Sequence, residues 1–165
     1  MIDAIDARIL TILQENARTS NAEIARQVDL APSAVFERIR KLEERGVIEG
    51  YSARVNAKAV GLPLLAFVFV RDEERPGEEI TSKLIADIPE VLEVHHVAGE
   101  DCLLVKVRTT DTDALGRLLK EKLGRIRTIV NTRTTIVLGT VKEGTQLPLP
   151  LDEPERTPAE EPVRV

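Results

Sequence analysis

Apolar residues recur at helical spacing in the first third of the chain. This spacing predicts a helix over residues 2–15, a second helix of about two turns that begins at Ser20, and a third that begins at Pro32. Ser20 and Glu23 have the spacing of a capping box, and Gly46 is expected to close the third helix. The residues predicted to face inward are Ile2, Ile5, Ile9, Ile12, Leu13, Ile24, Ala25, Val28, Val35, Ile39 and Leu42.

Strand-like and helix-like segments alternate in the second part of the chain. Their predicted order is βαββαβ, which is the ferredoxin-like arrangement. In the first of the two helices, Ile80, Leu84 and Ile85 are expected to face inward. The strands are predicted over residues 64–71, 91–98, 101–108 and 129–141, and the helices over 77–87 and, with Asp111 as the cap, over 111–123.

The first three helices have the geometry of a DNA-binding motif. A short turn at Asp29 and Leu30 joins the second helix to the third, and the first helix is expected to pack across both. In such a helix-turn-helix, the second helix of the pair enters the major groove of DNA. Residues 32–45 have one narrow apolar stripe and an opposite side that is polar. We therefore expect double-stranded DNA as a partner.

The predicted DNA contacts lie on the polar side of the third helix and at the start of the second. Ser33, Glu37 and Arg40 are expected to contact base edges, and Phe36 a thymine methyl group. This side could instead be the solvated face of an ordinary helix, and Arg38 could be a structural residue that ties the helix to its neighbours. Phosphate contacts are predicted for Arg18, Arg38, Lys41 and the helix start at Ser20 and Asn21, and Ala34 is available on the same side.

The pattern divides the chain into four regions and predicts an α+β fold. Residues 1–55 are expected to form a three-helix winged helix-turn-helix domain, with a β ribbon or wing over 47–55. A linker over 56–63 leads to the ferredoxin-like βαββαβ domain over 64–142. Residues 143–165 hold five of the nine prolines and have no periodicity, so they are predicted to be a disordered acidic tail.

Charge is unevenly distributed along the sequence. The formal net charge is -5, of which residues 143–165 carry -4, residues 61–142 carry -1 and residues 1–60 carry none. The predicted DNA-binding domain therefore has no general attraction for phosphate. Its affinity must come from local clusters, helix termini and more than one copy of the domain.

Several function classes find no support in the sequence. Cys102 is the one cysteine, which excludes an internal disulfide and suits a cytoplasmic location. We expect no signal peptide and no membrane partner, because no apolar run approaches the roughly 20 residues that span a bilayer. Adjacent strand residues such as His95 and His96 point to opposite faces, so no metal site is expected. No catalytic motif is present, so we expect neither an enzyme nor a cofactor, although ferredoxin-like folds also host catalysis.

Motifs in the same order as in a known family extend over residues 2–142. Together they resemble the leucine-responsive/asparagine regulator (Lrp/AsnC, feast/famine) family. The resemblance implies homodimers that pair through the βαββαβ domains and often assemble into octamers, with an amino-acid effector bound in clefts between those domains. The matching stretches are Ile2–Leu10, Arg18–Ser20, Glu23–Ala25, Pro32–Val35, Arg38–Glu43, Gly46–Tyr51, Val97–Asp101 and the threonine-rich strand ending at Val141 and Lys142.

The chain departs from the family pattern at several positions. Ala31 stands where a serine usually caps the third helix, which could cost roughly 1 kcal/mol of helix stability. Asp29 replaces a usual glycine in the turn. Cys102 and Leu103 occupy a stretch that usually reads Asp-Tyr-Leu, which bears on the chemistry of the effector pocket. The acidic tail extends beyond the common family length.

A turn and a strand in the second domain carry groups suited to an amino acid. Gly99, Glu100 and Asp101 offer backbone N–H groups and a carboxylate, and Thr132 and Thr134 offer hydroxyls. The resemblance places this turn at the assembly cleft and adds His96 to the predicted effector-binding residues. The alternative is an ordinary hairpin turn beside a threonine-rich strand.

Two functions remain open from the sequence. The first is a sequence-specific transcriptional regulator that responds to an amino acid through its C-terminal domain. The second is an architectural DNA-binding protein whose C-terminal domain only oligomerises, and its basis is the altered stretch at Cys102.

Overall fold

The computed structural model describes residues 2–75 and 77–149, and these residues form two compact units. Of the described residues, 2–53 and 143–149 belong to one unit, and the other unit runs from Arg54 to Lys142. Each described helix is too short or too polar to cross a lipid bilayer.

The N-terminal unit contains the three predicted helices, α1 (Ala4–Glu15), α2 (Asn21–Val28) and α3 (Pro32–Glu44). Helix α1 begins two residues later than predicted because Asp3 is its cap. Asp3 Oδ1 accepts a hydrogen bond from the backbone N–H of Asp6 at 2.7 Å, and the Asp6 carboxylate accepts one from the backbone N–H of Asp3. This pair is a reciprocal capping box.

Local signals also fix the ends of α2 and α3. The Ser20 Oγ accepts from the N–H of Glu23 at 3.2 Å, but the capping box is incomplete because the Glu23 carboxylate binds Arg26 and Gln27 instead. Asp29 has φ 55, so the predicted turn is present in the left-handed conformation. Gly46, with φ 66, follows the last turn of α3.

A small aliphatic core holds these helices together. Each helix contributes one face, and α3 contributes the narrow stripe that its spacing predicts, with Val35, Ile39 and Leu42 buried. The other buried apolar residues of this unit are Ala7, Ile9, Leu10, Ile24, Ala25 and Val28.

The predicted β ribbon over residues 47–55 does not form. The N–H groups of Val47 and Ile48 both donate to the carbonyl of Leu42, at 2.8 and 3.2 Å, so they end α3 instead of starting a ladder. Further along, the Tyr51 hydroxyl donates to Glu43 Oε1 at 2.8 Å and holds the segment against the same helix.

The second unit is a four-stranded antiparallel sheet with helices on one face. The strands lie in the order β2-β3-β1-β4, which confirms the ferredoxin-like βαββαβ arrangement. The elements are β1 (Leu64–Asp72), α4 (Ile80–Ala86), β2 (Val91–His96), β3 (Leu103–Thr109), α5 (Thr112–Arg117) with a following π-helical turn (Leu118–Lys122) and 3₁₀ turn (Leu123–Arg125), and β4 (Ile129–Ile136).

Alternate residues of the two central strands form the core of this unit. Ala66, Val68 and Val70 of β1 are buried, and so are their counterparts on β3. Because successive strand residues point to opposite faces, Phe67 and Phe69 lie on the face away from the helices. The remaining core residues are Leu103, Val105, Val107, Ile85, Leu115, Leu118 and Leu123.

Helix α4 differs most from its prediction. It starts at Ile80 instead of residue 77, and Ile80 and Leu84 are exposed (58% and 48%), so two of the three predicted inward residues are wrong. The polar Thr81 occupies the buried face beside Ile85. Its N–H and hydroxyl bind the Glu74 carboxylate, and its hydroxyl also lies 2.5 Å from Thr128 Oγ1.

Both edge strands are shorter than predicted, whereas the last helical segment, with its π-helical and 3₁₀ turns, runs from Thr112 to Arg125. Strand β4 ends at Ile136 instead of residue 141. Its partner β1 begins at Leu64, so β1 offers no residues for pairing with the last part of the predicted strand. Strand β2 ends at His96, and β3 begins at Leu103 instead of residue 101. Asp111 caps α5 as predicted, its Oδ1 accepting from the N–H of Ala114 at 2.7 Å.

The start of the predicted tail is in contact with α1. Residues 143–149 form neither helix nor strand, but Gln146 and Leu147 hydrogen-bond to Gln14. Residues 150–165 of the predicted tail lie outside the described part of the chain.

Candidate DNA-binding and effector-binding sites

The outer side of α3 is open to solvent. Ser33, Phe36, Glu37 and Lys41 are exposed on it, whereas Ala34 is half-buried. The helix could therefore enter the major groove of DNA without moving any buried side chain out of the core. One face of α3 is packed against the core, and the opposite face is available for contact with DNA.

Arg40, also exposed, is held by two carboxylates of its own helix. Its Nη2 donates to Glu37 Oε2 at 2.9 Å, and its Nη1 contacts the Glu44 carboxylate one turn later. Glu37 first, and then Glu44, raise the pKa of Arg40 above its ordinary value. Two predicted base-contacting residues thus pair with each other, and Arg40 must exchange these exposed carboxylates for any base that it reads.

Arg38 lies on a different side of α3 and faces the start of α1. Its Nη1 donates to Asp3 Oδ2 and to Asp6 Oδ1, both at 2.7 Å. Hydrogen bonds from Asp3 and then Asp6 raise the pKa of Arg38, and the pKa of Asp3 is lowered by the N–H of Asp6 and by Arg38. This arrangement favours the structural interpretation of Arg38 over a phosphate contact.

An open groove of about 270 Å³ brings part of the predicted DNA-contacting set together. Its lining includes Asn21 from the start of α2 and Phe36 and Arg40 from α3. Exposed Arg18 and Ser20 belong to the turn before α2, where the Ser20 hydroxyl already caps the helix. The groove lining that the sequence interpretation missed consists of Leu13, Ala17, Thr19, Ile39, Glu43 and Tyr51.

Tyr51 is the residue of this groove that a sequence signal could have indicated. It is the chain's one tyrosine and lies in the segment predicted as a wing. Partial burial, followed by the hydrogen bond to Glu43, raises the pKa of Tyr51 to about 12. The hydroxyl therefore stays protonated and remains a hydrogen-bond donor at neutral pH.

The predicted effector-binding residues do not form one site within a single chain. The Asp101 carboxylate accepts from Arg133 Nη2 at 2.9 Å, and the Arg133 guanidinium lies 3.9 Å from the centre of the Phe69 ring. Thr132 and Thr134 are the neighbours of Arg133 on β4 and therefore point to the opposite face of the sheet. Gly99, with φ 141, and Glu100 lie in the turn before Asp101.

A second cavity, of about 330 Å³, lies in the C-terminal unit and contains one residue of the predicted set. His96 lines it together with Cys102, but most of its lining comes from the loop between β1 and α4. The sequence signal for this loop is its run of carboxylates, which by itself indicates no particular site. The remaining lining residues are Asp72, Glu74, Arg75, Gly77, Glu78, Glu79 and Ser82.

The two histidine side chains lie on opposite faces of β2. His95 is paired with Leu104 of β3 and His96 with Leu103, so they point to opposite faces, and His95 Nε2 lies 3.2 Å from Glu93 Oε2. Over residues 2–75 and 77–149, no three His, Cys, Asp or Glu side chains are grouped as ligands of a metal ion.

Comparisons with known proteins assign both units to one family. The family model for the Lrp/AsnC ligand binding domain matches residues 65–147, and a model for winged helix-turn-helix DNA-binding matches residues 2–49. The HTH-type transcriptional regulator FL11 of Pyrococcus horikoshii is 38% identical over 148 residues, which cover 90% of this chain and 97% of that protein. The leucine-responsive regulatory protein of Klebsiella pneumoniae is 36% identical, with 88% and 90% covered.

A solved structure supports the same assignment over both units. A transcriptional regulator from Neisseria meningitidis in complex with L-methionine has a TM-score of 0.85 and 30% identity, covering 90% of this chain and 97% of that one. With a helix-turn-helix unit and a ligand-binding unit in the same order, the chain belongs to the Lrp/AsnC family of transcriptional regulators.

Proposed function

We propose that the protein is a sequence-specific regulator that binds double-stranded DNA through α3 and the start of α2 and responds to an amino acid through its C-terminal unit. One observation carries the DNA-binding half. Helix α3 packs against the core of its unit through Val35, Ile39 and Leu42, and the opposite side of the helix is exposed and mostly polar.

Each exposed side chain of α3 has a chemical role that suits a major groove. Arg40 can donate two hydrogen bonds to guanine, Glu37 can accept from cytosine, and Ser33 can serve as donor or acceptor. Phe36 provides an apolar surface for a thymine methyl group. The N–H groups at the start of α2, together with Arg18 and Lys41, are suited to phosphate.

We infer that the working form is a homodimer, and that dimers assemble further, up to an octamer. The sheet face opposite to the helices carries Phe67, Phe69 and Leu104, all half-buried in the single chain. Pairing of two such faces would remove apolar surface from water. A dimer also supplies two α3 helices, which compensates for the weak overall charge of one DNA-binding unit.

The effector we propose is an amino acid. The similar regulator from Neisseria meningitidis forms a complex with L-methionine. In this chain the 99–101 turn and the hydroxyls of Thr132 and Thr134 are on different faces of the sheet, so a site that uses both needs a second copy of the C-terminal unit. Binding would then change the assembly, with a coupling of about 1–3 kcal/mol to DNA binding.

The architectural alternative is supported by one observation. The Asp101 carboxylate is already paired with Arg133 and is only partly accessible, so it is not an unoccupied partner for the ammonium group of an amino acid. In this alternative the C-terminal unit assembles the protein on DNA without a ligand.

Two measurements separate these functions. Selection of duplexes from a random library by the full chain at low salt is expected to enrich one motif with two-fold symmetry; recovery of a random pool would overturn sequence-specific binding. Calorimetry against the twenty amino acids is expected to give heat with at least one of them. Enrichment without any such heat favours the architectural alternative.

A further inference from the structure

The chain that follows the C-terminal unit binds the end of α1. Gln14 Oε1 accepts a hydrogen bond from the N–H of Leu147 at 2.6 Å, and Gln14 Nε2 donates to the carbonyl of Leu147 at 3.2 Å. The side-chain amide of Gln14 therefore pairs with the backbone of Leu147 at both its donor and its acceptor. We call residues 145–147 the strap.

A third hydrogen bond satisfies a carbonyl at the C-terminal end of α1. Gln146 Nε2 donates to the backbone carbonyl of Gln14 at 3.1 Å. Because α1 ends at Glu15, this carbonyl belongs to the last turn and has no partner within the helix. The Leu147 side chain is 69% exposed, so the strap is held by these polar contacts and not by burial.

The strap determines where the rest of the tail begins. Leu13, the neighbour of Gln14, lines the groove that also contains Asn21, Phe36 and Arg40 of the predicted DNA-contacting set. The sequence from residue 150 to 165 has five carboxylates and two arginines. Sixteen residues can extend over about 50 Å, so charge that starts at this point can act on a duplex bound to the same unit.

We propose that the strap holds the acidic tail at the DNA-binding unit, where its charge lowers the affinity for DNA. The inference rests on the proposed function. Residues 1–53 contain seven Lys and Arg against nine Asp and Glu, so they have no excess of positive charge to compensate for the tail. Repulsion requires no particular conformation of residues 150–165, only that they start from Leu147.

The first experiment removes the charge and keeps the strap. The full chain, a chain that ends at Leu149, and a full chain carrying D152N, E153Q and E155Q are titrated with one mixed-sequence duplex. We expect the shortened chain to bind about three- to tenfold more tightly at low salt, and the substituted chain to bind with intermediate affinity. The difference should shrink at high salt because exposed charges are screened. Equal affinities at low salt would overturn the inference.

The second experiment removes the strap and keeps the charge. Gln14→Ala is expected to tighten DNA binding in the full chain, to leave the chain ending at Leu149 unchanged, and to accelerate hydrogen exchange at the Leu147 amide. Gln27→Ala is the matched control, because the Gln27 side-chain amide donates to Glu23 of its own helix, and within the described residues it makes no hydrogen bond to the strap. Unchanged DNA affinity or unchanged exchange in the Gln14→Ala full chain would refute the strap's role.

The outcomes distinguish the inference from the function on which it depends. If neither the full nor the shortened chain binds any duplex at low salt, the proposed DNA-binding function fails, and the inference fails with it. If both bind equally, the function stands and only the role of the tail is excluded.

Discussion

The two units differ in how their candidate sites are built. In the N-terminal unit, most predicted DNA contacts lie within nine residues of one helix, and all of these except Arg38 lie on one side of it in the single chain. In the C-terminal unit, the predicted effector residues come from the end of β2, from the turn that follows it and from β4, and the turn and the β4 hydroxyls are on different faces of the sheet.

The difference shows what each kind of site requires. The exposed residues of a helix can be predicted from its period of 3.6 residues, because the apolar positions define the buried face and the remaining positions face solvent. A site made from strands and turns depends on which elements become neighbours, and the effector site that we propose would also need a second copy of the chain. Substitutions should therefore act locally and separately in the N-terminal unit, and through assembly in the C-terminal unit.

The largest expected effect is on the stability of the core that supports the DNA-binding surface. Ile24→Ala removes a fully buried side chain from the N-terminal core and should lower the free energy of unfolding of that unit by about 2–4 kcal/mol. Leu84→Ala, at an exposed position of α4, should change stability by less than about 0.5 kcal/mol. Denaturation of the two variants measures both values. Similar losses would contradict the assigned faces.

A smaller effect is expected from the exposed side of α3. Arg40→Ala should weaken binding to the selected duplex by about 1–3 kcal/mol and relax the preference at one base pair. The unfolding free energy should hardly change, since the ion pairs with Glu37 and Glu44 are exposed. Fluorescence anisotropy with the selected duplex and with variants of it measures the preference. An equal loss on all duplexes would make Arg40 a phosphate contact.

Arg38→Ala should act on stability and not on base preference. The variant leaves Asp6, a mostly buried residue, without its cation, and we expect a loss of about 1–2 kcal/mol. A loss of DNA affinity with full stability retained would instead support a phosphate contact. Denaturation at neutral pH and DNA titration distinguish the two results.

The ion pair of Arg38 also gives a pH dependence with a defined sign. The pKa of Asp3 is lowered from its ordinary value of 3.8, so its contribution to stability is present above that pH and is lost as the pH falls through the folded-state value. In Arg38→Ala this acid-dependent contribution should be smaller but not absent, because the N–H of Asp6 remains. Unfolding measured from pH 5 down to about pH 2 gives the comparison. Identical pH profiles would show that Arg38 does not stabilise the Asp3 carboxylate.

The last prediction concerns the C-terminal unit, where only a small effect on stability is expected. Asp101→Asn weakens a partly exposed ion pair with Arg133 and should change the unfolding free energy by less than about 1 kcal/mol. Its informative effect is on ligand binding. If Asp101 belongs to the effector site, the calorimetric heat with the active amino acid disappears; an unchanged heat removes Asp101 from that site.

The sequence could predict the features that depend on near neighbours. Helix ends are marked by Ser20, Pro32 and Gly46, and the turn between α2 and α3 is indicated by Asp29, a residue that tolerates the left-handed conformation. The apolar stripe of α3 and the order of the βαββαβ elements were predictable for the same reason.

Features that depend on distant contacts could not be predicted. The inward face of α4 is set by Thr81, whose partner Thr128 lies 47 residues away. The strap joins Gln14 to Leu147 across 133 residues, and no periodicity indicates that pairing. The end of β4 is set by the start of β1, which is likewise a property of the assembled sheet.

The central claim is that the exposed side of α3 and the start of α2 contact the duplex. Hydrogen exchange of the full chain, measured with and without the selected duplex, tests it most directly. The account predicts slower exchange in residues 18–21 and 33–41 and little change elsewhere in the N-terminal unit. Slower exchange confined to other surfaces, with these two segments unchanged, would contradict it.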